Sequence, residues 1–63
     1  MYIKVRIYYD DRDLLFYYEY CIFAANHVVM GLSDWLYADK VEAIATAVKL
    51  AINLDIEYRE MGL

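Results

Sequence analysis

Few residues in this chain have the chemistry for catalysis. Cys21 and His27 are the only candidates for nucleophilic or redox work, and each type occurs once. They lie on either side of a loop, so a closing hairpin could bring thiol and imidazole together. No local nucleophile signature surrounds them. Cys21 reads better as a small apolar filler, and His27 as a loop residue. One Cys and one His also fall short of the four ligands that a zinc site takes. Asp10, Asp11 and Asp13 crowd one short turn. A calcium loop needs six or more oxygen ligands at set positions, with a Gly for the bend. A turn this short cannot supply them, so the acids read first as a solvated turn and second as a contact for a basic patch. With no acid, base and nucleophile constellation in view, the chain is expected to be no enzyme and to use neither metal nor cofactor.

The tyrosines carry more information, and there are eight of them in 63 residues. Most fall in two adjacent apolar stretches. Tyr2 to Tyr9 alternates, with Ile3, Val5, Ile7 and Tyr9 on one face and Lys4, Arg6 and Tyr8 on the other. That period of two predicts a strand. Leu14 to Phe23 is aromatic and branched, which suits a pleated surface, and its only charge is Glu19. The acidic turn between them predicts a hairpin with Tyr9 opposite Leu14. Ile7 then faces Phe16, Lys4 faces Glu19 and Arg6 faces Tyr17. Cross-strand pairs of this kind contribute about 0.2–1 kcal/mol each. Phe16, Tyr18, Tyr20 and Ile22 would belong to the core. Tyr2, Arg6, Tyr8, Leu15 and Tyr17 would lie on the outer face, a partner-binding surface too apolar to be left in water. Tyr with Arg is the composition of protein-interface hot spots.

The elements that position these side chains follow in order. Strands are expected at about 2–9, 14–23 and 28–32, and a helix at about 39–60. Asn26 is the residue of the second connection best able to take a left-handed conformation. Gly31 suggests a bulge or close backbone approach. Asp39, with Glu42 three residues on, resembles a capping box. Val41, Ile44, Ala45, Val48, Ala51 and Ile52 form an apolar stripe expected to meet the sheet. Ala43, Ala47, Leu50 and Leu54 form a second stripe beside it, expected to serve self-association. Met30, Trp35 and Leu36 are expected to cover the end of the core, or else to rim a groove. From Leu54 to Arg59 the pattern fits both a helix and a strand, and the continued helix is favoured. The fold class is α+β: a three-stranded antiparallel meander packed by one C-terminal α-helix (βββα), in a single domain.

Size and charge narrow the function. A chain this short makes a marginal core and usually needs a staple. A lone Cys removes the disulfide. Oligomerisation is the staple left, and a 63% hydrophobic composition agrees with a homodimer or a partner interface. The net charge of −4 opposes nucleic-acid binding, which uses a basic patch. No apolar run reaches the roughly 20 residues that span a bilayer, and no secretory signal is evident. The expected setting is the cytoplasm, of a host cell if the chain is viral. The expected function is a small acidic protein–protein interaction protein that binds and inhibits or regulates a macromolecular partner, of the kind seen in viral inhibitors of host defence or antitoxins. The order strand-strand-strand-helix resembles the sheet-and-helix part of HicB-type antitoxins, though the Pro- and Gly-bearing loop of such domains is absent. A nucleic-acid module using the Tyr face is the alternative.

Overall fold

A computed structural model describes residues 1–33 and 36–60. The order is β1 (Tyr2–Asp10), β2 (Leu15–Phe23), β3 (Val29–Leu32), α1 (Lys40–Leu54) and β4 (Glu57–Arg59). The strands form one mixed sheet in the order β3-β2-β1-β4. β1 and β2 pair antiparallel, as do β2 and β3, while β4 runs parallel to β1. The three-stranded meander expected from the sequence is therefore one strand short of the sheet that forms.

The extra strand replaces the last turns of the expected helix. Asp55 adopts a left-handed conformation, and its N–H reaches the carbonyls of Ala51 and Ile52. The Ile56 N–H also bonds the Ala51 carbonyl, at 3.0 Å. These bonds close the helix end much as a C-terminal Gly would. Asp tolerates the left-handed region better than most side chains, so no Gly is needed. Beyond it the period-two pattern wins. Ile56 and Tyr58 turn to the core while Glu57 and Arg59 turn out. At the other end, the Asp39 carboxylate accepts the Val41 N–H at 2.9 Å, an N-cap that satisfies one orphan donor.

The β1–β2 register differs from expectation but keeps its faces. Asp10 faces Leu15 and Arg6 faces Glu19, so the loop has slid one residue along the chain. The Asp10 carboxylate accepts the Arg12 N–H at 2.9 Å, and Leu14 ends the loop with φ 56°. The reward for the slide is an ion pair at 2.7 Å between Arg6 Nε and Glu19 Oε1. Both strands keep their alternation, so the same residues face the helix. In the second connection it is His27, not Asn26, that takes positive φ. Asn26 instead accepts the Val28 N–H through its side chain. Between Ile22 and Phe23 the β2–β3 register shifts, leaving Met30 as a bulge beside Gly31.

The core lies between the proximal half of the sheet and α1. Ile3, Val5, Tyr37, Ala43, Ala47 and Ala51 form its buried centre. Tyr37 enters it because its backbone exchanges two hydrogen bonds with Tyr18, at 2.7 and 2.8 Å. Met30 and Leu36 are exposed and do not close the end of the core. Trp35 lies outside the described residues. No described helix is long and apolar enough to cross a membrane.

Candidate functional site

The sheet face opposite α1 divides into two halves. The proximal half covers itself. Tyr2 stacks on Phe23 across the strands, with centroids 4.8 Å apart and planes 15° apart. The Arg59 guanidinium lies 3.9 Å from the centre of the Tyr2 ring, a geometry in which the ring quadrupole attracts the cation. His27 meets the same ring edge-on, and its Nδ1 lies 2.9 Å from the Tyr2 hydroxyl. Tyr2 is therefore buried, and it leaves the expected partner-binding set. The stack needs β4, which brings Arg59 beside Tyr2, and β2, which brings Phe23.

Cys21 sits fully buried on this half, between Lys4 and Leu32 in the neighbouring strands. Burial pushes its thiol upward, and the Arg6 charge pulls weakly the other way. A buried, protonated thiol is a poor nucleophile. His27 is meanwhile engaged by Tyr2, so the two candidates for catalysis make separate structural contacts. Among the described residues, no group of three His, Cys, Asp and Glu side chains is placed to hold a metal.

The distal half is open. Tyr8 and Leu15 are exposed and Tyr17 half-buried, with Tyr8 directly opposite Tyr17. Arg6 borders them. Its hydrogen bond to Glu19 raises the guanidinium further above its ordinary value and ties its charge to a neighbour. The acidic turn forms the rim. Asp10 is held within the turn: hydrogen bonds from Arg12, the backbone N–H foremost, keep its carboxyl below the usual range. Asp13 accepts the Tyr17 hydroxyl at 3.3 Å, and desolvation, with the charge of Asp13, raises the phenol. Asp11 and Asp13 remain exposed. Four of the five expected outer-face residues are thus together and accessible, beside two acids of the turn.

The opposite face of the same hairpin tip is also bare. Ile7, Tyr9 and Phe16 are exposed, although their alternation marks them as core. The helix ends its coverage at Val5, and the hairpin runs on past it. Tyr9 and Phe16 cover each other in part, with ring centroids 5.0 Å apart.

The helix presents its stripes differently from expectation. Ala43 and Ala47 are fully buried against the sheet, and Leu50 packs on the same core, so these residues do not form an outward self-association face. Leu54 is exposed and lines a shallow apolar hollow with Met1, Ile22, Met30, Gly31 and Ile56. Val41 and Ile52, expected inside, are the most exposed large apolar residues of α1, at 72% and 74%. The side of α1 that meets the sheet is thus its Ala stripe.

Comparison with family models, with curated proteins and with solved structures finds no match for this chain.

Proposed function

We propose that this chain is a protein-binding module that docks on a macromolecular partner through the distal outer face of its hairpin and inhibits or regulates that partner. The observation that carries the reading is the exposure of Tyr8 and Leu15 beside Tyr17 and Arg6, on a sheet face that no described element covers. Aromatic and Arg side chains on a rigid strand are the usual anchors of protein interfaces. Asp11 and Asp13 at the rim, and the chain's net charge of −4, favour a partner with a basic border. The nucleic-acid reading gains no support from the geometry. Arg6 is tied to Glu19 and Arg59 lies over Tyr2, so two of the cations nearest this face are already engaged.

The test compares the chain with its Leu15→Ser/Tyr17→Ser variant as immobilised baits in an extract of the native host. Circular dichroism first establishes that both are folded. A protein retained by the first and lost by the second supports the reading. Equal retention by both baits overturns it.

A further inference from the structure

We infer that two copies of this chain pair through the free edge of β1, antiparallel about a two-fold axis at Tyr8, to make one continuous eight-stranded sheet. The inference concerns self-association and stands apart from the partner reading.

Four observations lead there. First, β4 pairs only with Tyr2, Ile3 and Lys4, and no described residue pairs with β1 beyond Lys4 on that edge. Second, the backbone groups of the free edge belong to the odd residues. Tyr18 exchanges both its backbone hydrogen bonds with Tyr37, and the Tyr20 carbonyl accepts Ser33. The even residues of β2 thus face away from β1. Ile7, opposite Tyr18, then points its N–H and carbonyl to the outer edge, and by alternation so does Tyr9. A strand with such a row unpaired is a template for another strand.

Third, the segment from Arg6 to Asp10 is self-complementary. Closed dimers use the same patch on both copies, so position i must suit position j and j must suit i. About Tyr8, antiparallel pairing sets Ile7 against Tyr9 of the second copy, twice, as hydrogen-bonded pairs. It sets Tyr8 against Tyr8. It sets Arg6 opposite Asp10, again twice, so that no like charges face each other across the axis. This register uses the odd residues whose backbone groups are directed outward. On the helix side it brings the bare Ile7 and Tyr9 of each copy side by side.

Fourth, the other sheet edge is the poorer template. β3 is a strand of four residues with a bulge at Met30, and bulges turn an edge away from pairing. β1 from Val5 to Tyr9 has no Pro and no bulge, and Arg6 is its only charge. Across the axis that Arg6 lies opposite Asp10 and not opposite a second Arg.

The test is a cross-link at the axis. Tyr8 faces its own copy in a non-hydrogen-bonded pair, where Cα atoms lie about 4.5 Å apart, within disulfide reach. In a Cys21→Ser background, Tyr8→Cys should form a covalent dimer under mild oxidation, while Leu15→Cys, on the same face of the next strand, should not. Light scattering of the unmodified chain at micromolar concentration should give twice the single-chain mass of 7.5 kDa. Tyr9→Pro, which removes an outward N–H and spares the β1–β2 bonds, should lower that mass to one chain while the circular dichroism holds. A single-chain mass for the unmodified protein overturns the inference. So does a dimer that leaves Tyr8→Cys uncrosslinked, or one that links Leu15→Cys as readily.

Discussion

Leu14 and Asp10 show how the acidic turn holds its shape. Leu14 takes φ 56° and leaves 72% of its surface exposed. A branched side chain in the left-handed region costs about 1–2 kcal/mol, and here little burial offsets it. Leu14→Gly should therefore stabilise the chain by up to about 1 kcal/mol, read as a higher midpoint in urea. Asp10 works in the opposite direction. Its carboxyl is held below its ordinary value, chiefly by the Arg12 N–H. A depressed folded pKa adds stability above the unfolded value of about 3.9, and that stability disappears as pH falls through the folded value. The stability gap between the chain and its Asp10→Asn variant should be constant near neutrality and close in acid, as followed by thermal melts from pH 7 to pH 2. A gap that stays constant throughout would show that the carboxylate's charge contributes nothing.

At the scale of elements, α1 decides which residues become surface. Its contact with the sheet is made by Ala43, Ala47 and Ala51, all buried, flanked by Ile44 and Leu50. Larger apolar residues on the same helix, Val41 and Ile52, stay in water. Ala47 is fully buried. Ala47→Leu should cost about 1–3 kcal/mol through overpacking, whereas Ile52→Ser should change stability by no more than about 0.5 kcal/mol. Urea midpoints of the two variants, measured side by side, check both. If Ile52→Ser proved the costlier change, the helix would face the sheet by its other stripe.

The whole molecule is elongated, with extents of 35 × 23 × 23 Å, because the β1–β2 hairpin outruns the helix that covers its base. Among the described residues, the largest fully buried side chains are Ile3, Val5 and Cys21, a small core for a chain with so much apolar residue. Part of the surplus lies on β3 and α1, and part at the hairpin tip, on both faces. One face carries the Tyr8, Leu15 and Tyr17 surface; the edge of β1 and the Ile7, Tyr9 and Phe16 face lie within reach of a second copy. Both proposals therefore concern the same projecting ribbon, from different sides.

Local patterns were enough to place most of the frame. Alternation in Tyr2–Tyr9 marked the first strand and its two faces, and three- and four-residue spacing with Asp39 marked the helix and its cap. A hairpin slide that conserves alternation left those faces intact, so Arg6, Tyr8, Leu15 and Tyr17 were legible as one surface. Other features depended on contacts distant in the chain. Tyr2 is buried because Phe23, His27 and Arg59 converge on it from separate elements. The Ala stripe packs on the sheet while Val41 and Ile52 stay exposed, a choice between two apolar stripes that helical spacing leaves open. Residues 57–59 are a strand because β1 offers a vacant edge at Tyr2, Ile3 and Lys4. Spacing alone allowed helix or strand there, and the hydrogen-bonding partner made the choice.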